Sequence, residues 1–137
     1  MTQEQMRLRI PEQSHRQRLG RCGEFIAANY LQALHYRILD QNWTCRSGEI
    51  DLVGYGEDHL VFVEVKARTG LDFGHPLEAI TEPKFKRLCR LAAYWRKKQQ
   101  HKYGFLDRHV PQRIDVIGIV FTEHGLELSH QRGIDVA

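Results

Sequence analysis

Gly48-Glu49-Ile50-Asp51-Leu52-Val53 and Leu60-Val61-Phe62-Val63-Glu64-Val65-Lys66, joined by Gly54-Tyr55-Gly56-Glu57-Asp58, decide how this chain folds. The first stretch alternates acid and aliphatic residues, and the second is an apolar run with two charges near its end. Both patterns predict strands, and the linker has the composition of a hairpin turn. A turn centred between Glu57 and Asp58 pairs residues whose numbers sum to 115. Asp51 then faces Glu64, and Glu49 faces Lys66. Side chains alternate along a strand, so these four share one face and leave Ile50, Leu52, Val63 and Val65 on the other. A slip of one residue would mix the two sets, so the agreement of both faces supports the register.

This register has a chemical consequence. Directly opposite residues hold their Cβ atoms ~4.5–5.5 Å apart, so two carboxylates would stand side by side. Like charges so placed repel, and a carboxylate in an apolar strand also loses hydration. A hard divalent cation such as Mg²⁺ resolves both problems, because it prefers carboxylate and carbonyl oxygens and keeps several waters. Asp51 and Glu64 are the candidate metal ligands, with the backbone carbonyl of Val65 as a third. Lys66 projects beside the same ion, where it can orient a water or stabilise charge on a phosphate in the transition state. Such a set suits phosphodiester hydrolysis. The competing reading is an ordinary surface pair at Glu64 and Lys66, with Glu49 and Asp51 on a wet face.

Outward from this core the pattern is helical on both sides. Leu19, Cys22, Ile26, Tyr30 and Leu34 recur at helical spacing, widened by Ala27 and Leu31, and predict a first helix from about His15 to Leu34. Glu24 falls at the border of that stripe, as a third candidate site acid or as an N-terminal acid facing the helix dipole. A first strand is expected over 36–44. Residues 69–80 read as a loop, Thr81 as the cap of a helix beginning at Pro83, and Leu88, Leu91, Ala92 and Trp95 as its buried face. Lys84 lies one turn before Leu88. Arg113–Thr122 and Leu126–His130 are expected to be strands. In Arg113-Ile114-Asp115-Val116 the charges are expected to pair with each other or to mark a strand end.

Composition narrows the class. The 137 residues, 42% of them hydrophobic, suit one domain over 15–137 after a polar lead-in at 1–14 that Pro11 keeps from forming an early helix. No apolar run approaches the ~20 residues that cross a membrane, and no secretory signal pattern opens the chain. Three scattered cysteines (Cys22, Cys45, Cys89) read as reduced thiols in a cytoplasmic protein. Net charge is only +3, but Lys84, Lys86, Arg87, Arg90, Arg96, Lys97, Lys98 and Lys102 fall in one stretch with no acid between them. Arg7, Arg9, Arg16, Arg18 and Arg21 add a second basic group. Such patches suit a polyanion, the alternative being a solvated helix face. Gly20-Arg21-Cys22-Gly23 does not match a phosphate-binding loop and is expected to allow close helix packing instead. No Gly-x-Ser-x-Gly elbow supports serine hydrolase chemistry.

The segments Gly20-Arg21-Cys22-Gly23-Glu24, Gly48-Glu49-Ile50-Asp51-Leu52, Val61-Phe62-Val63-Glu64-Val65-Lys66, Lys84 and Arg113-Ile114-Asp115-Val116 resemble the bacterial YraN family. That group of small proteins is related to the restriction-endonuclease-like superfamily and to archaeal Holliday junction resolvases. The resemblance spans about residues 16 to 121. It implies an α/β fold with a mixed central sheet flanked by helices, and a metal site on its second and third strands. It matches Asp51 and Glu64 to the metal-binding acids, Lys66 to the catalytic lysine and Glu24 to the helix acid of the resolvase-like branch. Ile50 replaces the proline that names the superfamily motif. Resolvases act as dimers, so a homodimer is implied, although no residue pattern here marks its surface.

The expected function is therefore a Mg²⁺-dependent nuclease, with Mn²⁺ able to substitute, acting on DNA and in particular on branched or damaged structures. Glu24, Asp51, Glu64 and Lys66 form its site. Lys84, Arg87, Arg68 and Arg46 contact backbone phosphates, which gives mainly sequence-independent binding. Fold membership does not establish activity. The rivals are a non-catalytic nucleic-acid-binding or recombination accessory on the same fold, and a hydrolase of a smaller phosphate ester.

Overall fold

Close contact, more than apolar spacing, decides which face of the first helix turns inward. The computed structural model describes residues 15–70, 74–106 and 109–134, with the backbone alone at 78 and 79; the expected lead-in at 1–14 lies outside the described residues. Helix α1 (His15–Ala33) has nearly the predicted extent, but its buried residues are Gly23, Ala27, Ala28 and Leu31. Cys22 and Leu34, expected to point inward, are exposed, and Ile26 and Tyr30 only flank the contact. The inner row is thus shifted by one residue. A Cβ added at Gly23 would stand 2.9 Å from the Cβ of Ala67, so a larger side chain would push the helix off the sheet.

Three antiparallel strands follow as a meander: β1 (Arg37–Cys45), β2 (Gly48–Gly56) and β3 (His59–Arg68). The register from Leu52↔Val63 to Gly56↔His59 is the one expected. The turn is tighter than its composition suggests, because the strands continue through Gly54–Gly56 and only Glu57 and Asp58 reverse the chain. Both have positive φ, 52° and 62°, the conformation of a two-residue type I′ turn whose twist matches the flanking strands.

The next connection is of another kind. Strand β4 (Gln112–Thr122) runs parallel to β3, and parallel neighbours need a crossover. A short 3₁₀ turn (Pro76–Ala79) and helix α2 (Glu82–Gln99) supply it. Thr81 caps α2 as expected, its Oγ1 accepting from the Lys84 N–H at 3.4 Å. Leu88, Leu91, Ala92 and Trp95 are its buried residues. Strand β5 (Gly125–Gln131) returns antiparallel to β4. The sheet, in order β1-β2-β3-β4-β5, is mixed and flanked by helices, an α/β fold consistent with the restriction-endonuclease-like architecture. No helix among the described residues is long and apolar enough to cross a membrane.

The core lies in two layers. Leu52, Val61, Val63, Ile117 and Ile119 pack with Ala27 and Leu31 of α1. Val53, Phe62 and Val116 pack with Leu88, Leu91 and Trp95 of α2. Ile50 departs from the expected pattern, since it joins the α2 layer while Leu52 and Val63 join the α1 layer. The reason is a change of course in β2. Its ladder with β3 stops at Leu52↔Val63, and before that point the strand is paired only with β1.

Candidate functional site

The end of the β2–β3 ladder is where the acids gather. The pair Asp51 and Glu64 is one step beyond the last paired residues, so the strands separate where the two carboxylates would have been pressed together. Asp51 fills the gap. It is 7% exposed, and its Oδ2 accepts the Val65 N–H at 2.8 Å. In an extended strand a residue's N–H and C=O point to the same side, so the Val65 carbonyl is turned toward Asp51 too. A cleft of about 300 Å³ opens here, lined by Glu49, Asp51, Glu64, Lys66, Lys84 and Arg87 and floored by Leu88 and Leu91 of α2.

Electrostatics show how crowded the carboxylates are. Burial, then the charge of Glu64, push the Asp51 carboxyl up to about 8, against the Val65 hydrogen bond that pulls it down. Glu24 reaches the same place from α1. Its carboxyl is hydrogen-bonded to Asn42 and to Asp51, and burial is the main cause of its raised pKa. Two carboxyls in such a bond share a proton. On the opposite wall the Lys66 ammonium is 3.0 Å from Glu64 Oε1. Lys84 is depressed chiefly by the neighbouring charge of Lys66. The cleft therefore has an acidic side and a doubly cationic side.

Glu24, Asp51, Glu64 and Lys66 are thus brought together. The expected partner of Lys66 was Glu49; the structure pairs it with Glu64 instead, because the ladder that would have carried Glu49 opposite Lys66 has already ended. Of the residues expected to touch nucleic acid, Lys84 and Arg87 line the cleft. Arg46 is exposed in the turn between β1 and β2, and Arg68 closes β3 with a bond to the Ala67 carbonyl, so neither reaches the cleft wall. Asn42 is a site residue that sequence spacing does not reveal. Its signal is conformational, a φ of 50° inside a strand, which asparagine tolerates better than most residues.

The donors fit a hard cation. Among the described residues no three His, Cys, Asp or Glu side chains converge as a ready-made cage. Two carboxylates, one carbonyl and retained waters are nevertheless a usual set for Mg²⁺, which is seldom held by an all-protein shell. The proton that Asp51 holds so tightly marks charge that a cation would neutralise.

This gives a first prediction, for the metal-free protein. Asp51 binds its proton far more tightly when folded (about 8) than the ordinary carboxyl value of 3.8. The folded state therefore holds more protons than the unfolded one between those values, and stability falls as pH rises through that window. Asp51→Asn keeps an acceptor for Val65 and removes the titration. In EDTA it is expected to match the wild type near pH 4 and to exceed it by about 2–4 kcal/mol at pH 8, read by urea denaturation. A variant clearly weaker than wild type at both pH values would make Asp51 a structural acceptor.

Arg113-Ile114-Asp115-Val116 does not join the site. The two charges pair with each other, Arg113 Nε donating to Asp115 Oδ1 at 2.8 Å. Asp115, fully buried, also lies 2.7 Å from His130 Nε2 and accepts the Gly133 N–H at 2.9 Å. This is a packed polar network with all its buried side-chain atoms satisfied among the described residues.

Comparison with known sequences agrees with the motifs. A family model described as "Uncharacterised protein family UPF0102" matches residues 23–119. A UPF0102 protein of Renibacterium salmoninarum is 45% identical over 118 residues, covering 85% of this chain and 94% of that protein. One from Clavibacter michiganensis subsp. michiganensis is 49% identical over 109 residues, covering 80% and 87%. Another, from Paenarthrobacter aurescens, is 43% identical over 119 residues, covering 85% and 92%.

Proposed function

This chain belongs to the UPF0102 (YraN) family, and from that premise we propose that it is a Mg²⁺-dependent nuclease acting on DNA, with branched or damaged structures as its substrates. The observation that carries the reading is the gap between β2 and β3. There a buried carboxyl of raised pKa, a second carboxylate and a carbonyl stand against the side chains of Lys66 and Lys84 on the facing wall. Such a place suits a cation and an anionic oxygen side by side.

Asp51, Glu64 and the Val65 carbonyl would hold the metal, and Glu24, bonded to Asp51, would orient that ligand. A bound Mg²⁺ supplies Lewis-acid polarisation of a phosphoryl group and makes an attacking water more acidic. The remaining work falls to the chain. Lys66 in the metal-free protein neutralises Glu64; once Glu64 is engaged elsewhere, its ammonium is released to stabilise charge building on a phosphoryl oxygen. Lys84 and Arg87 hold the flanking phosphates without reading sequence. Because Asp51 must lose its proton before it can ligate, metal affinity is expected to rise with pH toward 8.

The test uses end-labelled linear, single-stranded, flapped and four-way-junction DNA with Mg²⁺, Mn²⁺ or EDTA. Metal-dependent cutting, strongest on the branched forms, is the expected result. A parallel melting experiment should show stabilisation growing with the logarithm of Mg²⁺ or Mn²⁺ concentration; no shift at saturating metal would remove the metal site. One observation favours the second reading, a nucleic-acid-binding accessory. Glu64 is already neutralised by Lys66 at 3.0 Å, and the basic face of α2 needs no metal to bind a polyanion. That reading predicts salt-sensitive binding with no cutting of any substrate.

A further inference from the structure

Beside the acidic cleft is a second one of about 300 Å³, and the two share Arg87 and Leu91. Its other walls are Cys45 and Ser47 at the β1–β2 turn, and Arg90 and Tyr94 on α2. Arg87, Arg90 or Leu91, and Tyr94 follow one another at helical spacing on a single face of α2. From Arg87 to Tyr94 the groove advances about 10 Å along the helix axis. Tyr94 is 46% exposed although it is a large aromatic. It leans on Trp43 of β1 with ring centroids 5.9 Å apart, and Lys98 stands 5.5 Å from its ring centre.

We propose that this second cleft binds a run of unpaired nucleotides leading into the acidic cleft, with a base stacked at Tyr94 and phosphates on Arg87 and Arg90. The inference rests on the nucleic-acid reading above and narrows it to substrates with a single-stranded arm. Two features of the groove select this occupant. The two arginines make the walls cationic, and Lys98 adds charge at the Tyr94 ring, which suits a polyanion rather than an apolar peptide. The exposed Tyr94 ring is the feature a duplex cannot use, because paired bases are already stacked on each other and offer a protein chiefly phosphates. Unpaired bases expose their π-faces, and a basic groove with aromatic platforms is the usual means of holding them. The shared Arg87 makes the two clefts one track, so a strand seated at Tyr94 meets Asp51 and Glu64 where its pairing begins.

The test needs no cleavage. In EDTA and low salt, the full chain is titrated with fluorescently labelled dT₁₂, rU₁₂ and a 12-base-pair DNA duplex, and binding is read by anisotropy. Tyr94→Ala, an exposed change checked by its unaltered melting curve, is expected to weaken single-strand binding about tenfold and duplex binding less than twofold. Equal effects on dT₁₂ and rU₁₂ would mean that the cleft takes either sugar; an effect on one alone identifies its strand. Trp43, the half-buried neighbour of Tyr94, should lose fluorescence on binding of a single strand, and Trp43→Phe should abolish that quench while Trp95 stays buried. Single-strand binding unchanged in Tyr94→Ala, or single-strand and duplex binding lost in equal measure, would overturn the proposal. Lys66→Ala separates the two readings. If it abolishes cutting yet binds dT₁₂ like wild type, both stand; if no form cuts but the Tyr94 effect persists, the groove stands without the nuclease.

Discussion

Lys66→Ala is expected to lose metal-dependent cleavage by a factor of about 10²–10⁴ while holding DNA within a few-fold of wild type. The ammonium is a fifth exposed on one wall of the cleft, bonded to Glu64, with Lys84 lining the same cleft. Removing it does three separable things. Charge stabilisation at the reacting phosphate disappears, which is the large effect and is read in single-turnover rates at saturating enzyme. Glu64 loses its neutralising partner, so metal affinity should hold or improve, read as an equal or larger melting shift with Mn²⁺. Lys84 loses the like charge that depresses it, and its grip on a phosphate persists. Weakened metal binding in step with weakened cutting would instead make Lys66 a structural prop of the ligands. Lys66→Arg keeps the charge but replaces a compact ammonium by a planar fork, so it should recover only a small part of the rate. Cleavage untouched by Lys66→Ala would place the chemistry elsewhere, and the reading would fall.

The contrast between what the sequence reveals and what it conceals runs along the same hairpin. Alternation fixes register, because two faces of opposite character leave one pairing that satisfies both, and Leu52↔Val63 through Gly56↔His59 obey it. Capping at Thr81 and the buried face of α2 are equally local, so they too are legible. The end of the ladder is not local. It falls at Asp51, whose side chain takes the Val65 N–H beyond the last paired residues while still feeling the charge of Glu64. Ile50 then turns to the α2 layer, a change that no two-residue period can announce. The inner face of α1 is concealed for another reason. Apolar spacing ranks Cys22 and Leu34 with the core, but the sheet comes so near at Ala67 that Gly23 and Ala27 must face it. Glu24 is legible as a border residue, whereas its partner Asn42 comes from a strand whose bulge and positive φ follow from tertiary contacts.

Asp115→Ala is expected to be the most damaging change to stability, costing about 3–5 kcal/mol and lowering the melting temperature by roughly 10–20 °C. The carboxylate is fully buried and serves Arg113, His130 and the Gly133 N–H at once. Burial raises its pKa, but the bonds from His130, Arg113 and Gly133 outweigh that and hold it below the ordinary carboxyl value. Removing it strands the Arg113 guanidinium, 14% exposed, with Tyr36 and a distant Glu57 as its remaining partners. Among the described residues His130 then keeps only its bond with Tyr30. The sign of the pH dependence follows from the lowered pKa. Asp115 contributes in full above the unfolded carboxyl value of 3.8 and loses that contribution as pH falls through its lower folded value. The gap between variant and wild type should thus be widest near neutrality and close in strong acid, as measured by urea denaturation across pH. Asp115→Asn, which keeps an acceptor but no charge, should fall between the two. This network also separates support from chemistry. Asp115 pairs with Val63 in the parallel ladder, next to Glu64, so its loss loosens the strand that carries the site. Any loss of cutting in Asp115→Ala should track the unfolded fraction and return on cooling, whereas the loss in Lys66→Ala should persist at every temperature at which that variant is folded.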